Sequence, residues 1–350
     1  MQKTVRRRTI APLDAYAAAA ARDRIDNLTK PLGSLGRIED LAVHLCAIAG
    51  GQPSHAYERR AILIGAGDHG VAAEGVSAYP PEVTVQMIGG FLGGTAAINA
   101  FSRAVRAEVY VADFGVREAL GEHARLIDVK CGLGTANFAL GPAIPPASLD
   151  EAIAAGGAAF AAVRLRYPFD ILALGEMGIA NTTSAAALVA AFARKPAASV
   201  VGRGTGIDDA RLARKIAVIE TALARIDDFS WRRIASEVGG YEIVGLAGTI
   251  LRAAQERIPI VLDGYIVSAA ALIARAIAPE SIAYCIAAHR SREPGHAIAL
   301  ELLGLRPLFD LDLALGEATG AALAFPLIEA AARMAREMRT FAEAHVATKE

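Results

Sequence analysis

Two glutamates in this 350-residue chain follow a glycine inside short glycine-bounded blocks, Gly175-Glu176-Met177-Gly178 and Gly316-Glu317-Ala318-Thr319-Gly320. A carboxylate held by such a turn in a partly dry pocket has a raised pKa and serves as a general base. For Glu317 a simpler use is equally open, because an acid at the start of a helix is favoured by the helix dipole. The glycine-rich loops at 175–178 and 202–206 suit a different task. Glycines let backbone N–H groups crowd around an anion, and a following helix adds its positive end, so both loops suit a phosphate group. Lys215, about two turns into the helix expected after the second loop, supplies a point charge. Either loop alone makes a tight turn as readily as a phosphate site; the two together favour a small phosphorylated substrate.

Other constellations are weaker. Gly65-Ala-Gly-Asp-His-Gly70 matches G-x-G-x-x-G after an expected strand. The dinucleotide fingerprint also requires a helix at once and an acid ~20 residues on. Gly75, Pro80 and Pro81 interrupt such a helix and Asp113 comes too late. There is no G-x-x-x-x-G-K-[ST] phosphate loop and no G-x-S-x-G elbow, which lowers the nucleotide-hydrolase and serine-hydrolase readings. Asp68, His69, His289 and His296 are of metal-binding type but match no standard ligand spacing. Lone histidines more often make hydrogen bonds than hold a metal, so a metal is the weaker reading of these residues.

Something must hold these groups in place. Short apolar runs at 61–66, 108–113, 170–174, 199–201, 259–263 and 282–287 read as strands buried on both faces. They alternate with helical stretches at 181–194, 208–226, 243–256, 264–277, 295–303 and 318–338. That pattern predicts an α/β fold, a parallel sheet flanked by helices. Ligands of such sheets gather beyond the carboxyl ends of the strands, where most of the glycine blocks fall. Both chain ends carry helical periodicity without strand-like runs. Residues 1–55 together with 318–350 are therefore expected to form a small helical domain beside an α/β domain of 56–317.

Composition narrows the function. With 36 Lys+Arg against 37 Asp+Glu, no polybasic surface for nucleic acid is expected. At 54% hydrophobic and a mean hydropathy of +0.36 a membrane span has to be considered. The apolar runs at 152–163 and 265–274 end at Arg164 and Arg275, short of the ~18–20 residues a span needs. Arg6, Arg7 and Arg8 precede an Ala-rich stretch, but Pro12 and Asp14 interrupt it, so a solvated segment entering a helix is expected instead of a signal peptide. Cys46, Cys131 and Cys285 are odd in number and far apart, which suits inert thiols of a cytoplasmic protein.

Ordered blocks along nearly the whole chain resemble one family. They are Lys30-Pro-Leu-Gly-Ser-Leu-Gly36, Gly67-Asp-His-Gly-Val71, Glu74-Gly-Val-Ser77, Tyr79-Pro-Pro, Gln86-Met, Asp113-Phe-Gly-Val116 and Gly134-Thr-Ala-Asn137. They continue through Gly175-Glu-Met-Gly-Ile-Ala-Asn-Thr-Thr-Ser184, Gly202-Arg-Gly-Thr-Gly206, Asp263-Gly-Tyr, Ser291 and Gly316-Glu-Ala-Thr-Gly-Ala-Ala321. The chain is similar in these blocks to the nicotinate-nucleotide:dimethylbenzimidazole phosphoribosyltransferases, which build the lower-ligand nucleotide of cobalamin. The resemblance implies a Rossmann-like parallel sheet, a homodimer with the site near the subunit interface, and no metal or other cofactor. It implies that nicotinate mononucleotide and 5,6-dimethylbenzimidazole are the substrates, and Glu317 the general base. Ser77, Tyr79 and Gln86, with Leu315 nearby, would hold the benzimidazole. Glu176, Gly178, Gly202, Gly204, Lys215 and Ser291 would line the nucleotide side. The alternative is a non-catalytic binding protein for a phosphorylated metabolite, built on the same glycine loops.

Overall fold

The computed structural model describes residues 9–204 and 206–347. Arg6, Arg7, Arg8 and Thr205 of the 202–206 loop lie outside the described residues. Six strands form one sheet: β1 (Arg60–Gly67), β2 (Ala107–Gly115), β3 (Leu126–Asp128), β4 (Ile171–Met177), β5 (Ile260–Leu262) and β6 (Cys285–Ala287). Their order is β3-β2-β1-β4-β5-β6, and every pair is parallel. This is the doubly wound order, whose ligand crevice lies where the connections diverge, between β1 and β4.

Period-two alternation decides what each strand residue touches. Along β1, Ala61 and Leu63 join one apolar cluster, and Ile62 and Ile64 the other. Along β4, Leu172 and Leu174 divide from Ile171 and Ala173 in the same way. Helices Leu149–Arg166, Asn181–Ala193, Tyr241–Gln255 and Tyr265–Ile277 cover the first face. Helices Arg37–Ala49, Ala97–Ala104 and Thr319–Glu337 cover the second. Much of this covering is alanine and glycine. A Cβ on Gly156 would overlap the Gly245 carbonyl, and one on Gly248 the Ile153 carbonyl, so two helix backbones meet directly. The high hydrophobic content is helix and sheet packing, and no helix among the described residues is long and apolar enough to cross a membrane.

The two chain ends meet. Leu28 bridges Thr340, and Arg24 pairs with Glu343 at 2.9 Å. Two expectations need correction. Residues 199–201 form no strand: a 3-10 turn spans Ala197–Ser199, and the Val200 carbonyl accepts from the Gly295 N–H and the Tyr265 hydroxyl, not from a neighbouring strand. In 282–287 only Cys285–Ala287 is strand, because a 3-10 helix runs over Pro279–Tyr284. Strand β3 was not expected; its three residues follow a polar loop and carry too short a pattern to stand out.

Candidate active site

A cavity of about 350 Å³ opens beyond the carboxyl ends of β1, β4, β5 and β6, a size that suits a small ligand. Its floor is built where the two Gly-Glu blocks cross. Gly316, Glu317 and Ala318 have φ of +88°, +61° and +68°, three successive left-handed residues before the helix Thr319–Glu337. Left-handed backbone costs a residue with a side chain roughly 1–2 kcal/mol, so surrounding structure must hold the turn. Asp263, just past β5, does so: Ala318 N–H donates to Oδ2 at 3.1 Å and Ala321 N–H to Oδ1 at 2.9 Å. The Thr319 hydroxyl donates to the Gly316 carbonyl at 2.8 Å.

From below, β4 presses on this turn. A Cβ on Gly175 would lie 2.5 Å from Ala318 N and 2.7 Å from Glu317 C, and one on Gly316 would overlap Glu176 Oε1. Gly175→Ala is therefore expected to lose about 1–3 kcal/mol of stability, the usual cost of overpacking. It also displaces Glu317. Thermal unfolding together with kcat on the soluble variant checks both effects, and a variant of wild-type stability and turnover would contradict the packing.

The crossing sets the electrostatics. Glu176 is buried and accepts a hydrogen bond from the Asn181 side-chain amide. Burial, with Asp263, Glu242 and Glu317 adding repulsion, pushes its carboxyl up to about 8. Glu317 is raised too, by burial and by Asp263, with the Ile98 N–H opposing. Its Oε2 is buried with no hydrogen-bond partner. A raised folded-state pKa means that stability from Glu176 is fully present below about 4.5 and is lost as pH rises towards about 8. Glu176→Gln should flatten that part of the stability–pH curve, measured as Tm from pH 4 to 9; an unchanged slope would place the proton elsewhere.

A buried cation also lines the cavity. Helix Asp209–Leu223 starts with Asp208 accepting the Arg211 N–H at 2.8 Å. It buries Lys215, Val218, Ile219 and Ala222 on one face. Lys215 is 1% exposed; its Nζ donates to Thr182 Oγ1 at 3.0 Å and contacts the Gly202 carbonyl at 3.5 Å. Burial lowers this ammonium to about 8, with Glu293 opposing. Asn181 and Thr182 open the helix Asn181–Ala193 beside it; the Asn181 and Thr183 N–H groups already donate to the Gly178 and Ala180 carbonyls, and the positive end of the helix dipole favours an anion there. Ser291 is held by His296, whose Nδ1 accepts the Ser291 N–H at 2.9 Å while Nε2 meets Ser268 Oγ at 3.0 Å. Burial drives His296 down to about 3, so the ring is neutral and free to accept.

Over 95% of its length this chain superposes on the crystal structure of CobT from Thermus thermophilus, with a TM-score of 0.92, 48% identity and all of that chain covered. A phosphoribosyltransferase family model matches residues 10–346. The chain belongs to this phosphoribosyltransferase family. It is 52% identical over 344 residues to the nicotinate-nucleotide–dimethylbenzimidazole phosphoribosyltransferase of Chloroflexus aurantiacus, covering 97% of both chains. The enzyme of the same name from Chloroflexus aggregans is 51% identical, again over 97% of each. The chain is thus an enzyme of this family.

Among the residues singled out from sequence, Ser77, Tyr79, Glu176, Gly178, Gly204, Lys215, Ser291, Leu315 and Glu317 line the phosphoribosyltransferase cavity. Gln86 does not; the helix Val83–Gly93 presents Val83 and Met87, one turn apart, and leaves Gln86 exposed. Gly202 lies behind the lining, covered by the Glu293 carboxylate. Asn181, Thr182, Arg203, Tyr265 and Glu293 line it without having been singled out. Tyr265 was visible only as the end of Asp263-Gly-Tyr, and Asn181 and Thr182 as the start of a helix and as members of the block 175–184.

The remaining sequence candidates have structural partners. His69 pairs with Glu242 at 2.7 Å, both side chains fully buried, and Asp68 Oδ2 accepts the Arg117 N–H at 2.9 Å. His289 Nε2 lies 3.6 Å from Asp263 Oδ1. No group of three or more His, Cys, Asp or Glu among the described residues could hold a metal ion. Added Cβ atoms on Gly65, Gly67 and Gly70 would meet Leu246, Glu242 and the Ala136 backbone, so these glycines serve protein packing.

Proposed function

We propose that this enzyme transfers the 5-phosphoribosyl group of nicotinate mononucleotide to 5,6-dimethylbenzimidazole, giving α-ribazole 5′-phosphate and nicotinate, in assembly of the cobalamin nucleotide loop. The observation that carries the reading is one cavity lined both by a buried ammonium, Lys215, and by a carboxylate of raised pKa, Glu317. A phosphorylated substrate needs the first and a nucleophile that must lose a proton needs the second. The names of the relatives supply the substrates.

The chemistry requires little else. Nicotinate in its mononucleotide is an N-glycosylated pyridinium and leaves as a neutral ring nitrogen, so no acid and no metal are needed. Benzimidazole attacks C1′ through one nitrogen and sheds the proton of the other, which Glu317 accepts. Attack opposite the leaving group inverts the β-glycoside to the α product. Gly178, Gly202, Gly204, Ser291 and Lys215 hold the nucleotide and its 5′-phosphate, with Glu176 beside them. That binding positions C1′ for attack. Ser77, Tyr79 and Leu315 hold the aromatic base, and Gln86, exposed and outside the cavity lining, has no part in it.

Tyr79 and Leu315, 52% and 57% exposed, stand at the cavity mouth, which supports a homodimer covering it. Sedimentation should give twice the chain mass; a monomer with full activity would exclude this. The enzyme is read as cytoplasmic, and residues 1–55 with 318–350 as one helical unit beside 56–317. The deciding experiment incubates the protein with both substrates and looks for free nicotinate and α-ribazole 5′-phosphate. A pure binder of a phosphorylated metabolite would release neither.

A further inference from the structure

The cradle at Gly202 and Gly204 already holds an anion, and it is a side chain of the protein. Gly204 N–H donates to Glu293 Oε1 at 2.9 Å. A Cβ on Gly202 would lie 2.6 Å from Glu293 Cδ and 2.7 Å from Oε1, so the carboxylate rests on bare glycine backbone. Glu293 N–H in turn donates to Ser291 Oγ at 3.3 Å. Three of the groups assigned above to the 5′-phosphate thus touch this one residue. Another of them, Lys215, feels its charge without forming an ion pair with it.

Glu293 is poorly held there. Oε2 is buried and has no hydrogen-bond partner. The residue directly precedes the helix Pro294–Leu303, yet its side chain does not cap that helix. Buried polar atoms in a purely structural role are almost always satisfied, and an unsatisfied one is costly. A phosphate monoester has three terminal oxygens and a charge near −2. It can take the Gly204 N–H, the Ser291 hydroxyl and a Lys215 proton together, which one tethered carboxylate does not.

We propose that Glu293 is an internal stand-in for the substrate's phosphate, a latch that occupies the cradle in the free enzyme and leaves it when the nucleotide's phosphate enters. The inference rests on the reading that the 5′-phosphate binds among Gly204, Ser291 and Lys215. It adds a determinant of specificity. A nucleoside lacking the phosphate has nothing to exchange for Glu293, so the latch works against it.

Titration of the full-length protein with inorganic phosphate tests the latch, comparing wild type, Glu293→Ala and Glu293→Gln. A latch closed nine-tenths of the time weakens apparent affinity about tenfold, so Glu293→Ala should bind phosphate about tenfold more tightly. Glu293→Gln, which keeps the shape and removes the repelling charge, should also bind more tightly than wild type. Folded variants that bind phosphate no better than wild type would overturn the proposal. So would a crystal structure of the wild-type enzyme soaked in phosphate, with phosphate at Lys215 and Glu293 still on the Gly204 N–H; this arm needs no variant to fold. Lys215→Met separates the two readings. If that change leaves phosphate binding intact, the phosphate lies elsewhere and the site reading and the latch fall together. If it abolishes binding while the Glu293 variants match wild type, the latch alone falls.

Discussion

Glu317→Gln should lower kcat by about 10² or more while leaving the affinity for nicotinate mononucleotide nearly unchanged, the scale of losing one positioned base. The amide keeps the volume of the carboxyl and the left-handed turn at 316–318 but accepts no proton. Near-normal turnover would remove Glu317 from that role. The pH profile gives a second check. A base works as its anion, so wild-type kcat falls as pH drops through the Glu317 pKa. Burial and Asp263 hold that value above the usual carboxylate range, so the acid limb should lie correspondingly high. Glu176, pushed up to about 8, is mostly protonated at neutral pH. Of the two neighbouring acids Glu176 is the neutral one, hydrogen-bonded to Asn181, and the proposed mechanism leaves the base to Glu317.

Lys215→Met should weaken nucleotide binding by roughly 10²-fold, the order expected when one partner of a desolvated charge contact is removed. Its fold stability should stay level or rise. The wild-type ammonium is buried with a hydroxyl and a carbonyl as its contacts, an arrangement that favours neutral or apolar groups in the empty protein. The sign with pH follows from its depressed folded-state value. Stability from this group is present above its ordinary pKa of 10.5 and is lost as pH falls through about 8. Lys215→Met lacks that slope. Nucleotide affinity runs the other way, falling in wild type as pH rises above about 8 and the charge disappears. Isothermal titration at pH 7 and 9 with parallel thermal unfolding separates the two. A variant that loses stability and binding in proportion would mark Lys215 as structural.

Much of this was readable in one dimension. Val-, Ile- and Leu-rich runs such as 61–66 and 170–174 have no polar alternation, so only burial on both faces suits them, and the helices between force parallel pairing. The expected helix at 318–338 differs from Thr319–Glu337 by one residue at each end. The 199–201 run failed because a strand needs a neighbour, and nothing local says whether one will be there. Lys215 was chosen for its distance from a loop. A sharper signal lay in its spacing from Val218, Ile219 and Ala222, which puts a lysine on the core face of its helix.

By itself, the sequence determined the alternation of strands and helices, the parallel α/β class and which Gly-Glu blocks fall at strand or helix ends, because local periodicity and backbone freedom depend on neighbours in the chain. Only the tertiary structure decided what those blocks do to each other. Gly175 and Gly316 are 141 positions apart, yet their missing side chains let Glu176 and Glu317 share one dry site. Asp263 pins the turn between them, and Glu293 lies in a cradle made by residues 202–204. Charge, burial and close approach are properties of groups brought together by folding, and no spacing along the chain encodes them.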